Sequence, residues 1–164
     1  MIWTERCVQP GSPPHNPIIF WSCCMNRFTQ KVVVVTGAGS GIGEATAKRF
    51  AQEGASVVLV GRNRDKLDKV ATQLAGEGHL VRATDVADPS DVEALFKEVA
   101  THFGRLDVLV NNAAFQMTHE HLEDIPDEEW VRTFDINITS MFRICQAAVP
   151  HMKAGGSIIN TSSV

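Results

Sequence analysis

The chain has 164 residues and a formal net charge of −4 at pH 7, and 44% of its residues are hydrophobic. This length and composition predict one ordinary globular domain that buries a core of its own. No run of Lys and Arg supplies the clustered positive charge of a nucleic-acid surface. The longest purely apolar stretches, such as 32–35 and 57–60, fall far short of the roughly 20 residues that cross a bilayer. We therefore predict neither nucleic-acid nor membrane partners.

The predicted elements alternate regularly between strand and helix. In chain order they are a strand over 32–35, a helix over 42–52, a strand over 56–60, a helix over 64–74, a strand over 79–83, a helix over 89–102, a strand over 107–110, a helix over 127–152 and a strand over 157–160. The uninterrupted apolar run at 32–35 is typical of a strand buried on both faces. Pro89 stands in the first turn of its helix. The alternation indicates a doubly wound α/β fold, in which helices cover both faces of a parallel sheet. The strand order that we expect is 3-2-1-4-5.

The first 30 residues differ from the rest and predict an N-terminal extension of irregular structure. Residues 10–17 include four prolines, and the apolar run at 18–21 is too short for a signal peptide. Met25 would serve as a natural start just before the first strand, so residues 1–24 are interpreted as an upstream extension without settled structure. The alternative is a strand or lid that covers the domain.

The four cysteines do not form the spaced framework of a disulfide-rich secreted protein. Cys7, Cys23 and Cys24 lie in the extension, and no Cys-x-x-Cys pair occurs. Cys145 lies on an apolar helix face and is predicted to be a small buried hydrophobic residue. We predict a reducing, cytoplasmic compartment.

The strongest motif is Thr-Gly-Ala-Gly-Ser-Gly-Ile-Gly at 36–43, between the first strand and the first helix. Glycines there permit a tight turn, close approach of the backbone to a pyrophosphate, and close packing of helix on sheet. The N–H groups at the helix start attract phosphate charge. This context predicts dinucleotide binding, and the alternative is a glycine-rich connector in another α/β protein.

Residues 36–43 match Thr-Gly-x-x-x-Gly-x-Gly, and the chain here resembles the short-chain dehydrogenase/reductase family. Residues 111–114, Asn-Asn-Ala-Ala, resemble the family's Asn-Asn-Ala-Gly, and residues 156–163 resemble the segment that carries its catalytic serine. The resemblance runs from about Lys31 to the last residue. It implies that residues 31–164 form a Rossmann-type NAD(P)-binding domain that stops after the fifth strand.

The resemblance also implies a set of cofactor-binding residues. These are Gly37, Ser40, Gly41, Ile42, Gly43, Arg62, Asp85, Val86, Asn111 and Ala113. No carboxylate stands at the end of the second strand to bind a ribose 2′-hydroxyl, and Arg62 could pair with a 2′-phosphate. NADP(H) is therefore favoured over NAD(H), and the alternative is that Arg62 is a solvated surface charge.

The other members of this set have separate roles in the family. Asp85 and Val86 match the position that holds the adenine ring. The alternative for Asp85 is a cap on the next helix, a role for which Asp88 competes. Asn111 resembles a residue that braces the central strands, and Ala113 lies where the family's backbone nears the cofactor.

The chemistry that the resemblance implies is hydride transfer between C4 of the nicotinamide and a small-molecule carbonyl or secondary alcohol. Asn137 matches the helical Asn that holds a water for proton relay, and Ser163, ahead of Ser162, matches the serine that hydrogen-bonds the substrate oxygen. The family's Tyr-x-x-x-Lys lies about a dozen residues further on, and the chain contains no Tyr. The resemblance therefore implies little or no turnover for the chain as given.

Two alternatives to a truncated enzyme stay open. One is a non-catalytic dinucleotide-binding fragment that sequesters cofactor or subunits. The other is a chain that folds poorly because its fifth strand is an unprotected edge. Cofactor binding with turnover would indicate the enzyme, and binding alone would indicate the non-catalytic fragment. Neither binding nor turnover would indicate the poorly folded chain.

Two weaker patterns remain. His119 and His121 have no third ligand in evidence and are interpreted as loop histidines, so no metal site is predicted. Apolar residues recur at helical spacing within 127–152, and in the family the corresponding helix pairs with another subunit. The resemblance thus implies a possible homo-oligomer through this helix. The apolar positions are Trp130, Phe134, Ile138, Met141, Phe142 and Cys145.

Overall fold

The central strand of the sheet is the valine run that the sequence predicts. The structure is a computed structural model that describes residues 26–162, and in it β1 spans Val32–Thr36 with all five residues buried. β-branched side chains suit a pleated strand, and a strand covered on both faces has no position for polar side chains facing water. β1 pairs in parallel with β2 (Ser56–Gly61) on one edge and with β4 (Leu106–Asn111) on the other.

Five parallel strands form one sheet in the order β3-β2-β1-β4-β5, which confirms the predicted order. β3 (Leu80–Ala83) lies outside β2, and β5 (Met152–Asn160) lies outside β4. The chain builds one half of the sheet and then crosses β1 to build the other. The carboxyl ends of β1 and β4 therefore meet where the strand order reverses, the point at which doubly wound sheets bind ligands.

Helices cover both faces of the sheet, as the fold class requires. α1 (Gly41–Gln52) and α2 (Arg64–Ala71) pack on the face that contains Val33, while α3 (Pro89–Phe103) packs on the face that contains Val34. Two separate apolar clusters result, one on each side of the sheet. Within residues 26–162, no helix combines the length and the apolar character that a membrane span needs.

The helix ends follow local hydrogen bonding. Asp88 caps α3 by accepting the N–H of Ser90 at 2.8 Å, and Pro89 occupies the first turn as predicted. α2 ends at Ala71, three residues before the predicted end at 74. The N–H groups of Gln73 and Leu74 bond to carbonyls three residues back, at 2.9 and 3.2 Å, so the α-helical pattern has already become a turn.

The helix predicted over 127–152 is interrupted and ends early. Its parts are α4 (Asp127–Phe134), a π turn (Asp135–Thr139), α5 (Ser140–Ala148) and a 3-10 turn (Val149–His151). The predicted C-terminal end was wrong, because Met152 already belongs to β5. Pro150 explains the end of the α-helix, since proline has no N–H to continue the hydrogen-bond pattern.

β5 begins at Met152, well before the predicted start at 157. Leu106 pairs with Met152, but Val108 pairs with Ser157, so two residues along β4 correspond to five along β5. The extra residues form a bulge over Lys-Ala-Gly-Gly at 153–156. Such a segment lacks the apolar alternation of a strand, and periodicity therefore cannot find it.

The described chain begins with a turn at 26–30 that packs on the C-terminal end of α1. The Phe28 and Phe50 rings lie edge to face with their centroids 4.8 Å apart, and the Phe28 N–H donates to the Glu53 carbonyl at 2.9 Å. This part of the predicted extension therefore contacts the domain. Residues 1–24, interpreted above as an upstream extension or a lid, lie outside the described residues.

The Glu53 carboxylate fixes this turn to α1. Its side chain is 2% exposed and accepts hydrogen bonds from Arg27 Nη2 at 2.6 Å and from Arg49 Nε at 2.7 Å. These two guanidinium groups lower the pKa of Glu53 from 4.5 to about 2, against the opposing effect of burial. The ion pairs therefore favour the ionised carboxylate in the folded protein.

A second carboxylate joins the starts of β1 and β4. Burial by itself would raise the pKa of Asp107, but hydrogen bonds from Arg105, the Val32 N–H and Lys31 outweigh it and lower that pKa. The Val32 N–H donates at 2.9 Å and the Lys31 ammonium at 3.1 Å. This cluster lies at the amino end of the sheet, away from the carboxyl ends where ligands bind in such folds.

Candidate functional site

The glycine-rich turn occupies the reversal point at the end of β1. A Cβ on Gly43 would lie 2.2 Å from the Gly37 carbonyl oxygen. Gly37 itself has φ +68°, and a Cβ there would lie 3.0 Å from the Ala113 Cα. The turn is thus packed so closely against its own helix and against the end of β4 that only glycine fits at these two positions.

The start of α1 faces this turn with its backbone N–H groups unobstructed. Ser40 is the N-cap residue, and within the described chain its side chain makes no capping hydrogen bond. Gly41 is exposed, and Ile42 is 68% exposed. An open helix N-terminus beside a glycine turn can bind the phosphates of a nucleotide.

Thr36 couples the two strands whose ends form the site. Its buried hydroxyl donates to the Val110 carbonyl at 3.2 Å and accepts the N–H groups of Asn112 at 2.9 Å and Ala113 at 3.0 Å. The Asn112 side-chain amide donates back to the Thr36 carbonyl at 3.3 Å. These bonds hold the chain after β4 against the glycine turn. Neither Thr36 nor Asn112 has a predicted role, although both lie within the predicted motifs.

A cleft runs from the glycine turn across the carboxyl ends of β2, β3 and β4. Six of the predicted cofactor residues line it: Gly37, Ser40, Arg62, Asp85, Val86 and Ala113. The remaining four do not line the cleft: Gly41 and Ile42 begin α1, and Gly43 and Asn111 are buried beneath it. The cleft also includes lining residues that are not among the predicted cofactor residues. Among these are Gly39, Asn63, Lys66, Thr84 and Ile136.

Asp85 lies in the cleft, and the capping role falls to Asp88. The Asp85 carboxylate accepts the Ala87 N–H at 3.0 Å, and its own N–H donates to Asp91 at 3.0 Å. Hydrogen bonds from the Ser90 hydroxyl and backbone lower the pKa of Asp88, in keeping with its position at the start of α3. The Asp85 carboxylate therefore retains acceptor capacity toward the cleft.

Thr84 contributes a buried hydroxyl beside Asp85. The residue is 2% exposed, and its Oγ1 has no hydrogen-bond partner among the described residues, while its N–H donates to the Gly61 carbonyl at 3.0 Å. Buried polar atoms are generally paired. An unpaired hydroxyl in the lining of a cleft is one of the groups to which a ligand can hydrogen-bond.

Arg62 is exposed at the end of β2, and its guanidinium has no hydrogen bond or ion pair among residues 26–162. Arg64, two residues on, pairs with Asp68 at 3.0 Å. The Arg62 guanidinium, which the sequence predicts to pair with a 2′-phosphate, thus borders the cleft without a partner among the described residues. The neighbouring Arg64 is paired on the helix surface.

Asn111 connects the two outer strands of this half of the sheet. Its buried amide donates to Asn160 Oδ1 at 2.9 Å and to the sulfur of Cys145 at 3.3 Å. Cys145 is half-buried, less than predicted. The Thr161 N–H donates to the Asn111 carbonyl at 2.9 Å, so the chain that leads to Ser163 leaves alongside β4. Ser163 itself lies outside the described residues.

The Asn137 side chain is used in a structural contact. It lies in the π turn, where Oδ1 accepts the Phe115 N–H and Nδ2 donates to the Phe115 carbonyl, both at 2.8 Å. This two-point contact fixes the segment after β4 to the long helix. Each end of the amide makes one of these two bonds, so one lone pair of Oδ1 and one hydrogen of Nδ2 remain for other partners.

The loop histidines have no metal geometry. His119 pairs with the Glu129 carboxylate at 2.9 Å. Over residues 26–162, no group of three His, Cys, Asp or Glu side chains is placed to hold a metal ion.

Comparison with known proteins agrees with this arrangement. The sequence profile of the short chain dehydrogenase family matches residues 31–164. An uncharacterized oxidoreductase of Staphylococcus aureus is 44% identical over 142 residues, covering 85% of this chain and 61% of that protein. A 3beta-hydroxysteroid dehydrogenase of Mediterraneibacter gnavus is 41% identical over 149 residues, covering 88% of this chain and 54% of that protein.

Solved structures of other oxidoreductases superpose well on this chain. A metagenomic short-chain oxidoreductase in complex with NADP matches with a TM-score of 0.78 and 35% identity over 84% of this chain and 64% of that one. A 3-ketoacyl-(acyl-carrier-protein) reductase of Brucella melitensis complexed with NADH matches with a TM-score of 0.71 and 36% identity over 75% of this chain and 50% of that one. The chain belongs to the short chain dehydrogenase family of oxidoreductases. It spans about 54–61% of the length of these curated relatives.

Proposed function

We propose that the cleft binds a nicotinamide dinucleotide and that the chain is the cofactor-binding part of a hydride-transferring oxidoreductase. The observation that carries this proposal is the convergence of the glycine turn, the end of β2, Asp85 and Ala113 on one cleft. The close approach of Gly43 to the Gly37 carbonyl leaves the turn free of side chains on its helix side. This cradle fits a pyrophosphate.

The favoured cofactor is NADP(H) rather than NAD(H). Arg62 supports this preference, because it borders the cleft with no partner among the described residues. A guanidinium can bind a phosphate through two parallel hydrogen bonds. No Asp or Glu lies between the end of β2 and the start of α2 to accept a ribose 2′-hydroxyl or to repel a 2′-phosphate.

The reaction class that fits this cleft is oxidation or reduction of a small-molecule carbonyl or secondary alcohol. The bound nicotinamide would supply or accept a hydride at C4. Ser163 would donate a hydrogen bond to the substrate oxygen, and Asn137 would hold a water for proton relay. The Asn137 side chain would keep that stretch in place through its two bonds to Phe115.

The long helix supports a further proposal, that this face joins a second copy of the chain. Trp130 is 56% exposed, Ile138 61% and Phe142 66%. Large apolar side chains exposed in a row on one helix face are typical of protein–protein interfaces. Size-exclusion chromatography with light scattering would test this, and a monomer at high micromolar concentration would contradict it.

A titration of the purified chain with NADPH and NADH, followed by cofactor fluorescence, tests the main proposal. We expect NADPH to bind more tightly, and Arg62→Ala to weaken NADPH binding by roughly 10- to 100-fold, since a charge-assisted hydrogen bond contributes about 1.5–3 kcal/mol. NADH binding should change far less. Arg64→Ala is the matched control, because Arg64 pairs with Asp68 and does not line the cleft.

Failure to bind either nucleotide would overturn the proposal, and equal losses of NADPH and NADH affinity in Arg62→Ala would overturn the NADP preference. A carbonyl-reductase assay on the same samples separates an enzyme from the second candidate, a non-catalytic dinucleotide-binding chain. Binding without turnover would support it.

A further inference from the structure

A second cation, Lys66, borders the cleft beside Arg62. Lys66 lies in the first turn of α2, where its N–H donates to the capping Asn63 Oδ1 at 3.0 Å. A Cβ built on Gly39 would lie 3.3 Å from the Lys66 Cβ. The stem of the lysine therefore packs against the glycine-rich turn, on the side of the cleft that the end of β2 forms.

The ammonium group of Lys66 is exposed and has no hydrogen bond or ion pair among the described residues. Two other basic side chains of α1 and α2 are engaged: Lys48 pairs with Glu44 at 2.6 Å, and Arg64 pairs with Asp68 at 3.0 Å. Arg62 and Lys66, which are four residues apart, thus both border the cleft without a side-chain partner among the described residues. A lysine stem of four carbons lets its ammonium group reach a ligand over several positions.

The charge of a 2′-phosphate exceeds what one arginine can neutralise. A phosphate monoester carries about −1.5 to −2 near pH 7. Arg62 supplies one positive charge, and a second is needed to balance the group. Among the residues that line the cleft, Asp85 is the one carboxylate, and it lies at the end of β3 rather than on α2.

We propose that Lys66 is a second phosphate-binding residue, which with Arg62 selects a nucleotide that carries a 2′-phosphate. The inference rests on the proposed dinucleotide function and extends it, because the sequence pattern assigned the 2′-phosphate to Arg62 alone. Arg62 would supply directional hydrogen bonds to the phosphate group, and Lys66 would supply a mobile point charge.

Isothermal titration with 2′,5′-ADP and 5′-AMP isolates the effect, because the two probes differ only in the 2′-phosphate. We expect Lys66→Ala and Lys66→Gln in the full chain to weaken 2′,5′-ADP binding about five- to tenfold, as for a partly solvent-screened ion pair. AMP binding should change less than twofold. Lys66→Arg should retain most of the affinity for 2′,5′-ADP.

Lys69→Ala is the matched control, since Lys69 is exposed on the same helix and does not line the cleft. If the wild-type chain binds NADPH but Lys66→Ala and Lys69→Ala bind 2′,5′-ADP equally well, the role of Lys66 is refuted and the dinucleotide function stands. Equal losses of affinity for 2′,5′-ADP and AMP in Lys66→Ala would also refute the role of Lys66, because they indicate a general effect on the glycine-rich turn. If the wild-type chain binds neither NADPH nor NADH, both proposals fail together.

Discussion

The packing of Gly43 against Gly37 provides a sharp test of the cleft. In Gly43→Ala the new methyl carbon would lie 2.2 Å from the Gly37 carbonyl oxygen and 2.8 Å from the Asn112 side-chain nitrogen. A carbon–oxygen contact normally requires about 3.3 Å, so the turn must move away from α1 by about 1 Å. The two obstacles lie on different segments: the Gly37 carbonyl belongs to the backbone, and the Asn112 side-chain amide is held by its hydrogen bond to the Thr36 carbonyl at 3.3 Å.

This displacement has two measurable consequences. Overpacking of this kind costs about 1–3 kcal/mol, which should lower the melting temperature by several degrees. The shift also moves the backbone that would hold the pyrophosphate, and we expect NADPH binding to weaken at least tenfold, which is about 1.4 kcal/mol. Binding is measured by fluorescence titration well below the melting temperature of the variant.

Gly76→Ala is a matched control for the loss of stability. Gly76 has φ +88°, and a Cβ there would meet no atom within 4 Å. Its substitution is strained by the backbone conformation alone, at a cost of about 1 kcal/mol, and it leaves the cleft unchanged. If Gly43→Ala melts earlier but binds NADPH as tightly as Gly76→Ala, the turn does not contact the cofactor and the reasoning is wrong.

Two further substitutions test the supporting contacts. Asn137→Ala removes both bonds to the Phe115 backbone and should lower the free energy of unfolding in urea by about 1–3 kcal/mol, with faster proteolysis of residues 112–121. Unchanged stability would contradict that role. Because the pKa of Glu53 falls from 4.5 unfolded to about 2 folded, its ionised form stabilises the fold above pH 4.5, and this stabilisation is lost as the pH falls toward 2. Glu53→Gln should therefore have a lower free energy of unfolding than the wild-type chain at pH 7, and that free energy should fall less between pH 4.5 and pH 2. Parallel curves of unfolding free energy against pH for the two proteins would refute this.

The sequence alone predicted the strand order and the class of fold. The valine run of β1, the glycine turn after it and the caps at the helix starts are local patterns, and each restricts the backbone to few conformations. Boundaries were less well predicted where a local pattern is weak. The end of the long helix at Pro150 and the bulged start of β5 depend on hydrogen bonds that periodicity does not encode.

Only the tertiary structure decided which side chains meet. Thr36 bonds the N–H of Ala113, 77 residues away, and Asn137 bonds the backbone of Phe115, 22 residues away. Lys66 borders the cleft because α2 crosses the glycine turn at Gly39. Residue type and spacing specify elements of secondary structure, because those depend on neighbours along the chain. Contacts between such distant residues depend on how the elements pack, and packing is settled only when the whole sheet and both helical layers are in place.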